Sequence, residues 1–498
     1  MASDKFRRQL RQEAVGWLAN GVIDQAQHQR LSELYEFDRL DTAARDRFIV
    51  VLVGLGSILL GLGIITFVAA NWQVIPRELK VLLLLLLFVG VNALGFYLWK
   101  QPLSLPIGRE RAQQRFGQGL LLLGSLILGA NMALMGQIFH HSGSAYALCL
   151  IWGLGVAAMA YSLRLVSLGV LAILLMGIGY WLGIQELFSV GVLPGLGLMM
   201  QNMPIIAGVL FVPLAYRCRS RVLFGMAMIA VLSSFLVVLS DLGRLFDSAP
   251  GVVVAIAFIL PPALLWSYDD EIWQRPWRRL AHLPRPKPFR AIAQTMALIY
   301  LSSLIYFMSY HYWWLGGSET AVSNQFAQLF SAGLPLLLNP NLLFLMGLTL
   351  VQWFYQISPD QRTQHWRLRQ GDGVILAFLL IIAGVTLWHW SVSPIMAIAT
   401  FTFNVLLFLL AAGCLREGLA EGQRRLFWGG MVLLTLQVLS RMLEYDTGLL
   451  LKSLTFLLCG VAVIAVGLWF EQYVRVLHRP TLSAASSSPA PSSSEKIS

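Results

Sequence analysis

The chain is 498 residues long, with 57% hydrophobic and 12% charged side chains, whereas ordinary soluble domains carry about 25% charged residues. Single cores stop growing near roughly 250–300 residues, so the apolar excess has to face lipid, and an ordinary soluble protein is excluded. The net charge of +11 would suggest nucleic acid in a soluble chain, and its placement decides whether that partner stands.

Residues 1–47 form the sizeable polar segment before the apolar part and lack the short apolar stretch of a cleavable signal peptide. The first span is therefore expected to act as its own insertion signal. Phe6, Leu10, Ala14, Trp17 and Leu18 fall on one face at helical spacing, and Gly21 stands where a helix C-terminal glycine belongs. A second helix is predicted to open at Asp24, with Gln27 completing an N-cap pair and Leu31, Leu34 and Tyr35 as its apolar face. Asp41 can cap a third helix running into the membrane. Eight Lys/Arg are matched by eight Asp/Glu in this segment, which argues against DNA binding or a polybasic lipid anchor.

From Phe48 onward, apolar stretches of the length needed to cross roughly 30 Å of hydrocarbon recur with short polar breaks. Fourteen are predicted, centred on 48–70, 79–99, 116–138, 145–163, 165–184, 196–216, 222–240, 250–268, 291–312, 338–357, 373–390, 394–414, 424–441 and 448–470. The least regular places are the Gly/Pro-rich approach at 185–205 and the tight turn at Arg164. The expected fold is an all-α polytopic bundle over 48–470, with a small N-terminal helical domain over 1–47 and a tail over 471–498. The Ser/Ala/Pro-rich part of that tail, from about 481, cannot bury apolar surface and is expected to be disordered.

With the N-terminus inside and the spans alternating, 31 Lys/Arg fall on the inner side and five (Arg77, Lys80, Arg244, Arg441, Lys452) on the outer. A missed or extra span would invert every later loop, so this asymmetry supports the count and places both termini in the cytoplasm. The positive charge is then a topology signal, and no nucleic-acid partner is expected. Cys149 and Cys459 lie within spans and Cys218 and Cys414 on or near the inner side, so no disulfide is expected. No Walker A loop, H-E-x-x-H or G-x-S-x-G occurs, and no cofactor or metal is expected. The run from Gly54 to Gly63 lies inside an apolar span, where Ser57 and Gly61 suit close helix packing rather than a dinucleotide loop.

Polar residues at outer helix ends are the candidates for function. Asn71 and Trp72 close the first span, either as a cap beside an interfacial Trp or as part of an outward cavity. His140, His141, His311 and His389 also map to outer ends, where they either converge as a metal or proton-handling group or serve as interfacial polar residues. The last two spans are joined through Arg441, Glu444 and Asp446, with Lys452 in the next helix; a salt-bridged hairpin and an anion or proton-coupling site both remain open. Asn92, Asn131, Gln137, Gln294, Gln352, Asn404 and Gln437 put uncharged polar groups within spans, where interhelical hydrogen bonding accounts for most of them. Pro213 and the pair Pro261–Pro262 are predicted to kink their helices, and Pro335 and Pro340 to interrupt the approach to the tenth span.

Trp17-x-x-x-Gly21-x-Ile23, a helix ending at Tyr35, a Gly-rich first span and Ala69-Ala70-Asn71-Trp72-x-x-Ile75-Pro76 resemble the bacterial predicted-membrane-protein family catalogued as domain of unknown function twenty-one fifty-seven, over about residues 10–100. The resemblance implies a bacterial cytoplasmic (inner) membrane protein with a small cytoplasmic helical domain, and brings no reaction with it.

The favoured expectation is a transporter or envelope-export component with an outward-accessible polar cavity. Two others stand beside it. One is a non-catalytic assembly or regulatory protein that holds a protein partner through Trp17 or Tyr35. The other is a membrane enzyme on a lipid-linked substrate, for which Glu78, Asp241, Asp247 and Glu319 are the outer carboxylates.

Overall fold

The computed structural model describes residues 4–35, 51–63, 66–67, 76–100, 107–138, 144–187, 194–245, 250–270, 289–315, 338–357, 370–445 and 448–477. All regular structure among them is helical, and the chain divides into two compact units, Met1–Val231 and Leu232–Ser498.

The first unit begins with a helical hairpin of α1 (Asp4–Ala19) and α2 (Gln25–Tyr35). Gly21 takes φ +69° and turns the chain after α1, a conformation that costs glycine little. Asp24 and Gln27 cap each other's backbone: Gln27 N–H donates to Asp24 Oδ1 at 2.6 Å and Asp24 N–H to Gln27 Oε1 at 3.0 Å. Ala14 is fully buried, with Leu10, Trp17, Ile23, Leu31 and Tyr35 packed around it.

Next come α3 (Val51–Gly63), α4 (Arg77–Lys100) and α5 (Ile107–Ile138). Small residues set their spacing. A Cβ on Gly117 of α5 would lie 2.7 Å from the Trp99 backbone nitrogen, and one on Gly119 would lie 2.5 Å from Val53 and 3.2 Å from Ser57 Oγ. At Gly117 it is the backbone of α4 that approaches, and glycine is required there. Asn131 Nδ2 donates to the Leu84 carbonyl at 3.2 Å, so an amide expected to bond between helices does so.

α6 (Ala145–Leu163) and α7 (Val166–Leu187) form an antiparallel pair turned at Arg164, which adopts a left-handed φ of 54°. α8 (Pro194–Gln201) and α9 (Met203–Cys218) follow. The segment Gly195–Gln201 meets Met203–Cys218 at 78°, with Pro204 at the start of the second helix. The Gly/Pro-rich approach to the sixth span is thus a sharp bend. α10 (Arg221–Leu245) completes this stretch of the chain.

The second unit contains α11 (Pro250–Trp266), α12 (Arg290–Met308), a short 3₁₀ turn (His311–Trp314), α13 (Pro340–Ile357), α14 (Gln370–Ser391), α15 (Met396–Ala420), α16 (Arg424–Glu444) and α17 (Leu449–Leu477). Leu301, Ile305, Trp353, Ile382, Phe403 and Leu407 lie at the centre of the core that joins α12 to α15. α11 runs on as helix through Pro261–Pro262. Pro261 has no N–H for the carbonyl of Ala257, and Tyr300 of α12 supplies a hydroxyl to that carbonyl at 3.1 Å. α17 is held to α16 by stacked Phe427 and Phe470 rings, centroids 3.7 Å apart, and by an Arg424–Glu471 ion pair at 2.9 Å.

Each of the fourteen predicted stretches carries helix, but the helices differ in length. Among the described residues ten are long and apolar enough to cross a membrane, and the bent pair would make eleven; Val51–Gly63 and Gly251–Trp266 are apolar but shorter. Their exposed surface is largely Leu, Val, Ile and Phe, as lipid contact requires.

Candidate functional site

One end of the second unit gathers charges that the helices would otherwise keep apart. The C-terminus of α12 leaves carbonyls without helical donors. Ser309, fully buried there, offers its carbonyl to two side chains from other helices: Arg441 Nη1 of α16 at 2.7 Å and Asn404 Nδ2 of α15 at 2.9 Å. Arg441 Nη2 also reaches Ser309 Oγ at 3.4 Å, and the guanidinium lies over the Tyr310 ring at 4.3 Å. The Tyr310 hydroxyl meets that of Tyr306 at 2.9 Å. Gln437 Nε2 donates to the Asn404 carbonyl at 2.8 Å and ties α16 to α15 a turn deeper.

One turn beyond Arg441, Glu444 pairs with it through Oε2. The other oxygen, Oε1, accepts the His311 backbone N–H at 2.9 Å and contacts His311 Nδ1, which therefore carries a proton toward the carboxylate. Exposure is lowest in the middle of this chain of contacts: the Glu444 side chain is 5% exposed, Arg441 14% and His311 45%. A buried carboxylate thus sits between a partly buried guanidinium and an imidazole open to the surroundings. Tyr445 stacks on the far side of the imidazole, centroids 6.5 Å apart. Arg441 Nε and Gln437 Oε1 are buried without hydrogen-bond partners among the described residues, which leaves polar capacity for a further group.

His389 occupies a different setting. Its side chain is buried and lies edge-on to Trp314, centroids 4.8 Å apart. His389 Nδ1 accepts the Ile395 N–H at 3.1 Å, so the ring proton belongs on Nε2, which has no hydrogen-bond partner among the described residues. Trp314 donates to the Met308 carbonyl at 2.8 Å and packs against Phe403. His311 is bound to Glu444, and His389 is held in this aromatic pocket.

Lys452 lies partly exposed in the first turns of α17, with no side-chain hydrogen bond or ion pair among the described residues. Asn71, Trp72, His140, His141 and Asp446 lie outside the described residues. Trp17 and Tyr35 are half-buried against Ala14 within the N-terminal hairpin. Of the outer carboxylates weighed for an enzyme, Glu78 is exposed at the start of α4, Asp241 lies near the end of α10, and Asp247 and Glu319 lie outside the described residues. No group of three His, Cys, Asp or Glu able to hold a metal ion occurs among the described residues.

Arg441 and Glu444 are candidates from the sequence alone, whereas Ser309 and Tyr310 join the cluster only in the fold. Asp270 and Asp372 fall just outside the predicted spans 250–268 and 373–390, yet both are buried. Asp270 Oδ2 accepts the Phe289 and Arg290 N–H groups at the start of α12, and Asp372 accepts the Trp266 indole N–H at 2.9 Å.

Residues 16–169 match the family described as predicted membrane protein, DUF2157. This is the family that the N-terminal sequence resembles, and the match runs further, into α7. It lies wholly in the first unit, whereas the charged cluster lies in the second. No curated protein and no solved structure matches the chain.

Proposed function

We propose that this multi-pass membrane protein is a transport or envelope-export component whose working site is the Arg441–Glu444–His311 cluster, and that Glu444 stands in for an anionic solute at Arg441. The carrying observation is the largely buried carboxylate held between a partly buried guanidinium and an exposed imidazole. Ionisable residues inside spans are costly and usually serve a solute or ion path. A solute carboxylate or phosphate entering past His311 would take over the Arg441 fork, which suits both anions, and Glu444 would turn to His311. Fourteen spans, both termini in the cytoplasm and the cluster facing outward in a bacterial inner membrane complete this reading. It is supported by the helices in every predicted stretch and by the distribution of Lys and Arg.

The test uses full-length protein in lipid nanodiscs, melted with phosphate, sulfate and small mono- and dicarboxylates. At least one anion should raise the melting temperature of the wild type and leave inserted Arg441→Ala/Glu444→Ala unchanged. Glu444→Gln, which removes the internal competitor, should bind that anion more tightly. Equal shifts in wild type and double variant would remove the cluster from the proposal.

A second reading concerns the N-terminal hairpin. Val15, Val22 and Leu34 are exposed on it at 53%, 68% and 74%, a surface that suits a protein partner. Deleting residues 1–40 should then release a co-purifying protein, and an unchanged complex speaks against that role.

A further inference from the structure

Two turns of the first unit that are more than fifty positions apart in sequence lie next to each other at one end of their helices. Arg164 forms the turn from α6 to α7, and Arg217, Arg219 and Arg221 surround the turn from α9 to α10. The helices hold these turns side by side. Tyr161 of α6 donates its hydroxyl to the Leu210 carbonyl of α9. A Cβ on Gly169 of α7 would lie 2.9 Å from Leu223 of α10 and 3.3 Å from Leu214 of α9. The guanidinium of Arg217 lies over the Tyr161 ring at 5.7 Å, and the fields of both Arg164 and Arg217 reach the Cys218 thiol. All four arginines are exposed.

Two further facts set this patch apart from a general scatter of basic residues. Arg164 and Arg219 are the non-glycine residues with positive φ among the described residues, at 54° and 49°. Each sits where glycine closes a helix with less strain, so the chain accepts backbone strain at both turns and keeps a guanidinium. The second fact is the distance to negative charge within α6–α10. From residue 145 to 245 the acidic residues are Glu186 and Asp241, at the opposite ends of α7 and α10 and about 30 Å away along their helices.

We propose that Arg164, Arg217, Arg219 and Arg221 form a binding site for the phosphate headgroup of an anionic phospholipid. The guanidinium forks supply paired donors to phosphate oxygens. The turns lie where apolar helices give way to headgroups, and basic pockets between membrane helices hold anionic lipids in this way. Tyr161 keeps Arg217 directed to the patch through its ring. The bound lipid would bridge the α6–α7 pair to α9 and α10, independently of the charged cluster in the second unit.

Full-length protein in a neutral detergent is melted with phosphatidylglycerol, with phosphatidylcholine of the same acyl chains, and with inorganic phosphate. Phosphatidylglycerol should raise the melting temperature, and the other two should leave it unchanged. In Arg164→Gln/Arg217→Gln/Arg219→Gln the apparent affinity for phosphatidylglycerol should fall on the order of a hundredfold. An equal shift with inorganic phosphate assigns the patch to a soluble ligand and overturns the proposal, as does an undiminished shift in the variant. Should the variant fail to fold, native mass spectrometry of the wild type decides. Retention of phosphatidylglycerol over phosphatidylcholine supports the site, and equal retention overturns it.

Discussion

The Tyr300 hydroxyl donates to the Ala257 carbonyl at 3.1 Å, at the position where Pro261 withdraws the helical donor. Tyr300→Phe leaves that carbonyl without either donor and should cost about 1–3 kcal/mol. In Pro261→Ala the helix regains its own N–H, and the added loss from Tyr300→Phe should shrink toward zero. A double-mutant cycle of melting or denaturant unfolding measures this coupling, and additive losses would show that the hydroxyl does not serve that carbonyl.

Arg441 and Glu444 should be coupled in stability as well as in binding. Arg441→Ala leaves the Glu444 carboxylate with the His311 contacts alone and should destabilise by less than the about 3–5 kcal/mol that breaking a fully buried pair costs. Arg441→Ala/Glu444→Ala should cost less than the sum of the single changes. Unfolding of the four proteins in mild detergent gives the interaction energy, and a value near zero would show that the pair contributes no net stability.

The two kinds of helical glycine should respond oppositely to a methyl group. Gly117→Ala places a Cβ 2.7 Å from the Trp99 backbone nitrogen, so α4 and α5 must separate, and a loss of about 1–3 kcal/mol is expected. Gly177 has open space around its Cβ position, so Gly177→Ala should be neutral or stabilise by up to about 1 kcal/mol. Melting temperatures of the two variants should therefore fall on opposite sides of, or at, the wild-type value.

Loss of the reciprocal cap on α2 should be local. Asp24→Ala removes the acceptor for the Gln27 N–H and should cost about 1 kcal/mol of helix stability. Hydrogen exchange of the first amides of α2 should accelerate severalfold, while the amides of α12 and α15 exchange as in the wild type. Uniform acceleration across the chain would contradict a purely local cap.

Much of this architecture is legible in the sequence because lipid imposes a simple rule: an apolar stretch must be long enough to cross, and its breaks must be polar. Gly21 and the Asp24–Gln27 cap are readable for a related reason, since turn and cap chemistry is local. The bend between α8 and α9 showed only as a Gly/Pro-rich irregularity, because its angle depends on packing. Arg441 and Glu444 share one helix face at i, i+3, so their pairing could be anticipated. Ser309 and His311, more than 130 positions away, join them only through tertiary packing. Trp314 shows the same limit. In the sequence it is an interfacial aromatic beside His311, yet in the fold its ring packs on His389.

None of the residues in the membrane-length window of α17 is buried, and its ties to α16 include the stacked Phe427–Phe470 rings and the Arg424–Glu471 pair near its C-terminal end. Such a helix takes its tilt from the bilayer more than from its neighbours, since mismatch with hydrocarbon thickness is relieved by tilting. α17 is therefore expected to act as a gauge of membrane thickness, pivoting on the Phe427–Phe470 stack as the surrounding lipid grows thinner or thicker.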